Sequence, residues 1–358
     1  MSTRATVFIA QSTLDPEALL ILEDGGTVVW GLPEDRRVRP ADSEAGAAQL
    51  STIRKSLLEI LPHVHGIFGF FPYDRPLFET ATNLRVIITP TSGTEHVDID
   101  AATANGVAIV NAAGANYTEV AEHVIGLALS LLKLIAIPDR TSHRDHRQST
   151  NAQLFDVVGL PTFLMGKTLG VIGFGFIGRE VARIASQGFR MNVLAFDPYF
   201  DSIEARRQGV TLVPDLATLL VGSDVVSVTC PLTPETRGLI DARRLTMMKP
   251  SAILVNCARG ATVVTDDLVA ALRSGTIAGA GLDVTDPEPL PSGHDLFALD
   301  NVVLTPHVAG VSAESLVEQS VQSARDGMMV LEGKRPFHLV NPAVWPQLRA
   351  ATWRESAS

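Results

Sequence analysis

The stretch Val171-Ile-Gly-Phe-Gly-Phe-Ile-Gly178 is followed by Asp197, nineteen residues after its last glycine. It reads as a strand, a tight glycine turn and a helix start, then a second strand ending on an acid. Each part has a task in holding a dinucleotide. Gly173 makes the turn, and Gly175 removes a Cβ that would block the pyrophosphate. Gly178 lets the helix pack on the sheet with its amides facing the phosphates. Asp197 closes the run Val193-Leu-Ala-Phe196, where a carboxylate can accept from both ribose hydroxyls. The context agrees, because Thr168-Leu-Gly-Val-Ile172 is an apolar strand and Arg179-Glu-Val-Ala-Arg-Ile-Ala185 has apolar positions at helical spacing. Pro198, Tyr199 and Phe200 follow the acid, with no arginine beside it to neutralise a 2′-phosphate, which favours NAD over NADP. A methyltransferase binding S-adenosylmethionine also uses a glycine turn and an acid, so further residues have to decide.

At 358 residues the chain is too long for one ordinary core, and two domains are expected. An apolar share of 46% against 19% charged residues suits a well-packed enzyme. The net charge of −10 argues against a nucleic-acid partner, which calls for a basic face. Cys230 and Cys257 each end an apolar run, as expected of buried thiols in a reducing compartment rather than of a disulfide or a metal site. The short apolar run Val7-Phe-Ile-Ala10 gives no reason to expect a signal peptide. The longest apolar stretch, 125–138, is broken by Lys133 and too short to span a bilayer. A cytoplasmic protein with no membrane partner is the expectation.

Strand-like runs alternate with helical patterns, which predicts α/β architecture with parallel sheets. Strands are predicted near 6–9, 27–30, 66–70, 85–88 and 108–110, and again at 193–196, 211–213, 224–230, 252–256, 277–284 and 302–305. A helix from about 117 to 135 separates the two groups. Asp139 to Thr150 is polar with no apolar periodicity and reads as an exposed connector or flap. A last helix, about 313 to 331, carries the chain back to the first group. The expected fold is α/β, with two Rossmann-like doubly wound domains and a cleft between them. Residues 1–115 with 308–358 are the expected substrate-binding domain, and 116–307 the NAD-binding domain.

Three ionisable residues fall at or just past the ends of predicted strands, where ligands bind in open α/β sheets. Arg259 follows Ile253-Leu-Val-Asn-Cys-Ala258, Glu288 lies in Leu282-Asp-Val-Thr-Asp-Pro-Glu-Pro289, and His307 lies in Val303-Leu-Thr-Pro-His-Val308. Singly each has an ordinary explanation: a solvated charge, a surface loop, a structural histidine. Together they form a chemical set. A guanidinium holds a 2-oxo acid by its carboxylate and polarises the carbonyl. An imidazole supplies or removes the proton on oxygen, and a glutamate orients that imidazole. With NAD, the set implies hydride transfer at a secondary alcohol next to a carboxylate. A methyltransferase would leave all three without a task.

The chain resembles the D-isomer-specific 2-hydroxyacid dehydrogenases along nearly its whole length. The matching blocks are Ser92-Gly-Thr-Glu-His-Val-Asp98, Asn116-Tyr-Thr-Glu-Val-Ala-Glu-His123, Gly170 to Asp197, and Pro231-Leu-Thr-Pro-Glu-Thr236. They continue with Met248-Lys-Pro250, Val255-Asn-Cys-Ala-Arg-Gly260, Gly281-Leu-Asp-Val284 and Leu304-Thr-Pro-His-Val-Ala-Gly310. The resemblance implies that Arg259 anchors the substrate and that His307 is the acid/base, with Glu288 as its partner. It implies that Asp283 holds the nicotinamide carboxamide, that backbone amides around Ser92 and Gly93 bind the substrate carboxylate, and that Asn116 lines the cleft. The expected cofactor contacts are Gly173, Gly175, Phe176, Ile177, Gly178, Asp197, Cys230, Pro231, Thr236, Cys257, Ala258, Asp283 and His307. Homodimers that open and close are implied too, and no metal is expected.

Some positions depart from the family pattern. Phe176 stands where arginine is common and removes one phosphate contact, and Thr229 stands where histidine is common. Phe68-Gly-Phe-Phe-Pro-Tyr73 lacks the arginine that phosphoglycerate-oxidising relatives carry, Arg75 falling late in the turn. That weighs against a phosphorylated substrate, and Phe70, Phe71 and Tyr73 suggest an apolar wall. A small 2-oxo acid such as glyoxylate or hydroxypyruvate is the expected partner. Formate-oxidising relatives place glutamine where Glu288 stands, and an NAD-sensing interaction protein on the same fold is the alternative. The chain ends soon after Asn341-Pro-Ala-Val-Trp345, so no C-terminal regulatory domain is expected.

Overall fold

Short runs of β-branched and other apolar residues make up nearly every strand, and among the described residues the strands pair with one another in parallel. The computed structural model describes residues 4–37, 43–148, 150 and 160–350. Strands β1 (Ala5–Ile9), β2 (Gly26–Trp30), β3 (Gly66–Phe68), β4 (Val86–Ile88) and β5 (Ala108–Val110) form one sheet, in the order β2-β1-β3-β4-β5. A second sheet contains β6 (Thr168–Ile172), β7 (Asn192–Phe196), β8 (Thr211–Leu212), β9 (Val225–Val228), β10 (Ile253–Asn256), β11 (Gly279–Leu282) and β12 (Val302–Leu304). Its order is β12-β11-β10-β9-β6-β7-β8. Both are doubly wound, Rossmann-like sheets. In the second, strand order reverses between β6 and β9, the place where such sheets bind ligands.

The chain divides into two compact units, Met1–Asn116 with Val311–Ser358, and Tyr117–Gly310. Each sheet buries both faces, which is why its strands read as near-continuous apolar runs rather than alternating ones. In the second unit one face packs on Leu219, Leu245, Leu268 and Leu272. The other packs on Val120, Val124, Leu127 and Ala128 of the helix Tyr117–Leu132. In the first unit the helix Ala313–Glu332 lays Val321, Ala324, Met328 and Leu331 over β1 and β4. Each such valine, leucine or methionine side chain withdrawn from water contributes roughly 1.5–3 kcal/mol before the entropic cost of ordering the chain. Ser312 caps that helix with a reciprocal Ser312–Ser315 capping box.

The polar segment after residue 135 differs from its reading. A helix, Ala136–Asp145, covers most of it, ending at His146 with φ +51°. The segment is exposed as expected, with no buried residue in that helix. A helix that buries no face has no apolar period to be read. Ser149 lies outside the described residues. Among the described residues no single helix is long and apolar enough to cross a membrane.

Candidate active site

The glycine turn at the end of β6 is built as its sequence demands. Gly173 has φ +91°, and a Cβ there would lie 2.7 Å from the Cys230 backbone. At Gly178 a Cβ would lie 2.1 Å from the Gly173 carbonyl oxygen, so the helix Phe176–Arg183 can approach the strand only with glycine there. Gly175 is different, for a Cβ there meets nothing within 4 Å. The protein's own packing gives no reason for glycine at that position, whereas a pyrophosphate lying against the backbone does. Gly175 is also the helix N-cap, and no side chain caps the first turn. Open amides beside an open glycine fit a dinucleotide phosphate.

Asp197 joins the turn to the end of β7. Its Oδ2 accepts from the Phe174 amide at 2.8 Å and its Oδ1 from the Tyr199 amide at 2.9 Å, leaving each oxygen a further lone pair. Thr229 gives its hydroxyl proton to the Gly173 carbonyl at 2.7 Å. The residue that departs from the family pattern thus secures the turn. Phe176 is exposed, with the Arg179 guanidinium 5.2 Å from its ring centre and the Tyr117 ring 6.5 Å away. Ile177, the next residue, packs partly buried on the core. Cys230 is buried, and burial pushes its thiol up to about 11. Burial also raises Cys257, with the nearby Asp283 charge adding to the effect. Both thiols are therefore neutral and unreactive. Pro231 accepts from the Thr236 hydroxyl at 2.7 Å, closing the loop that follows Cys230.

The loop after β10 is held by Asn256, which sequence reading passed over. Its Oδ1 accepts from the Ala258 amide at 3.0 Å, while its Nδ2 donates to the Arg259 carbonyl at 3.0 Å. Arg259 is half-buried and donates from Nη1 to the Ala258 carbonyl at 2.7 Å. Gly260, next in the chain, is the contact between two loops. A Cβ there would lie 1.9 Å from the Thr285 carbonyl oxygen, so the Arg259 loop and the Glu288 loop touch backbone to backbone. Thr265 adds a hydroxyl bond to the Asp286 carbonyl at 2.7 Å.

Glu288 and His307 meet directly. Nδ1 of His307 lies 2.6 Å from Oε1 of Glu288. An ionised carboxylate can only accept, so Nδ1 carries the proton and Nε2, on the other side of the ring, does not face Glu288. The two side chains are 48% and 40% exposed, which leaves the pair open to a reactant. Asp283 lies behind them with its side chain 1% exposed. Its carboxylate accepts from the Thr305 hydroxyl and from the Val308 and Ala309 amides.

In the first unit, Ser92 Oγ lies 3.2 Å from the Ala112 carbonyl and 3.1 Å from Asn116 Oδ1, and Gly93 accepts from the Thr91 hydroxyl at 2.8 Å. The aromatic wall needs correction. Phe71 and Tyr73 are buried at 4% and 1%, and the Tyr73 hydroxyl bonds the Gly69 carbonyl. Phe70 alone of the three is exposed, its ring centre 4.3 Å from that of His96 and tilted 41° to it. Arg75 pairs with Asp98 at 3.7 Å.

A family model for the D-isomer specific 2-hydroxyacid dehydrogenase, NAD binding domain, matches residues 125–309. The chain belongs to this family. A glyoxylate reductase of Thermofilum pendens is 39% identical to this dehydrogenase over 281 residues, 76% of this chain and 79% of that protein. A D-3-phosphoglycerate dehydrogenase of Archaeoglobus fulgidus is 38% identical over 274 residues. That match takes in 76% of this chain and 50% of the relative, so the dehydrogenase spans about half the length of that protein. The crystal structure of holo D-mandelate dehydrogenase from Rhodotorula graminis has the same fold. It superposes with a TM-score of 0.81 at 26% identity, covering 94% of this chain and 97% of that one.

Proposed function

We propose that this dehydrogenase interconverts a small 2-oxo acid and its D-2-hydroxy acid, with His307 as the acid/base. The 2.6 Å bond between His307 and Glu288 is the observation that carries the proposal. Held by Glu288 at Nδ1, the imidazole has Nε2 to give a proton to the carbonyl oxygen in reduction and to take it back in oxidation. Glu288 stabilises the charged imidazole. Arg259 grips the carboxylate and draws electron density from the carbonyl. When bound, NAD(H) supplies or accepts the hydride.

Gly173, Gly175, Gly178 and the first turn of the helix Phe176–Arg183 would hold the pyrophosphate, and Asp197 the ribose. The Asp197 charge repels a 2′-phosphate, so NAD is preferred over NADP. Among substrates, Arg75 is engaged by Asp98 and Phe70 presents an apolar ring, which favours an unphosphorylated acid. Glyoxylate reductase and mandelate dehydrogenase among the similar proteins bracket the side-chain range. A homodimer in the cytoplasm completes the reading.

The test is NADH oxidation with glyoxylate, hydroxypyruvate, phenylglyoxylate and 3-phosphohydroxypyruvate, for the wild type and His307→Ala. Turnover by the wild type should fall by about 10²–10⁴ in the variant while NADH still binds. Equal turnover in the two would remove His307 from the chemistry. No turnover on any acid, with NADH bound tightly, would favour the NAD-sensing alternative.

A further inference from the structure

His307 adopts φ +57°, a left-handed conformation that a residue with a Cβ rarely takes. Something must hold it there. The His307 amide donates to the Asp283 carbonyl at 2.8 Å. The next two amides, of Val308 and Ala309, donate to the two carboxylate oxygens of the same residue, each at 2.9 Å. One buried aspartate therefore fixes three successive amides around the catalytic imidazole.

The carboxylate is itself held from the other side. Thr305 Oγ1 lies 2.6 Å from Asp283 Oδ1 and 2.9 Å from His123 Nε2, on the helix Tyr117–Leu132. The direction of this chain follows from proton counting. Asp283 accepts three bonds within 2.9 Å and offers no proton, so Thr305 must give its single hydroxyl proton to Asp283. The Thr305 oxygen is then left to accept, and Nε2 of His123 must carry a hydrogen. Donation thus runs His123 to Thr305 to Asp283, and the carboxylate is left with its charge directed at the amides beside His307.

Resting on the dehydrogenase reading, we infer that His123 and Thr305 are positioning residues. Through Asp283 they hold the His307 strand-end loop in its left-handed form and so place Nε2 for proton transfer. Neither residue needs to touch the substrate or the cofactor.

The test compares Thr305→Val, which keeps the shape and removes the donor, with Thr305→Ser, which restores it. Turnover number should fall on the order of tenfold in the valine variant, a displaced catalytic group being costly, while KM for the 2-oxo acid and the NADH dissociation constant stay near wild type. The serine variant should recover most of the loss. Amide hydrogen exchange over residues 307–310, measured without substrate, should quicken in the valine variant alone. His123→Leu against His123→Gln reads the other end of the chain if Thr305→Val does not fold. Wild-type exchange and wild-type turnover number in Thr305→Val would overturn the inference, as would a loss that serine fails to recover. A wild-type protein that reduces no acid would sink the dehydrogenase reading instead, and the exchange experiment would still decide whether the loop depends on Thr305.

Discussion

In the seven-stranded sheet the carboxyl-end loops carry Asp197, Arg259, Glu288 and His307, and they bind to one another across strands. In the five-stranded sheet the bonded network of the corresponding loops runs through Thr89, Thr91, Ser92, Asn111, Asn116 and carbonyls, with His96 at its edge, while the ionisable Arg75 and Asp98 of these loops pair with each other. Two sheets of related topology therefore present different chemistry at the same end. Ionisable groups suit the movement of a proton and the anchoring of an anion. Neutral donors suit recognition of a shape whose charge is met elsewhere. The expectation is that the second unit sets the reaction rate, while the first sets selectivity and shares in global stability.

The largest effect that would sharpen this contrast lies in the first unit, at the amino-terminal side of its sheet. Nδ1 of His65 accepts from the Thr6 amide at 2.9 Å, and burial, with the Arg85 and His63 charges, lowers its pKa from 6.5 to about 4. Folded His65 is neutral where the unfolded chain already binds a proton. Stability is therefore greatest above pH 6.5 and falls as pH drops towards about 4, by about 3 kcal/mol in all. His65→Asn keeps an acceptor for the Thr6 amide. It should flatten urea-denaturation stability between those pH values and leave kcat alone. An unchanged slope would mean that His65 is not the linked group.

A step smaller is Arg259→Lys. The lysine keeps the charge but loses the planar fork, so kcat/KM for the 2-oxo acid should fall by about 2 kcal/mol, with Tm unchanged. A parallel loss of Tm would show that the guanidinium supports the fold rather than the substrate.

Two glycines three residues apart separate the approach of a ligand from contact within the fold. Gly175→Ala should leave Tm alone, since no protein atom lies within 4 Å of a Cβ there, and weaken NADH binding about tenfold. Gly178→Ala should destabilise the second unit by about 1–3 kcal/mol, because its Cβ would strike the Gly173 carbonyl. The comparison breaks if both variants behave alike in NADH titration and thermal melts.

Much of this molecule could be read from its residues. Apolar runs marked the strands because parallel sheets are covered on both faces, and the glycine turn announced itself because Gly173 and Gly178 answer to backbone contacts. The helix Ala136–Asp145 was invisible because it buries no face. Phe71 and Tyr73 were read as a wall but lie in the core, since alternation along a short loop does not say which ring turns inward. Asn256, Gly260 and Thr305 were missed for another reason. Their roles are contacts with residues far along the chain or with backbone carbonyls, and a residue type does not name its partner. Asp283 was noticed, but four donors or near neighbours crowding one buried carboxylate appear only once the chain is folded.

The division of the chain has a consequence for its synthesis. The second unit is one continuous run, Tyr117–Gly310, and holds all the segments of its own sheet. The first needs Val311–Ser358, whose helix Ala313–Glu332 completes the core over β1 and β4. On a ribosome the five-stranded sheet is thus translated first and finished last, after the whole cofactor unit has emerged. Its unfinished apolar face is the surface for which a chaperone would compete during that interval.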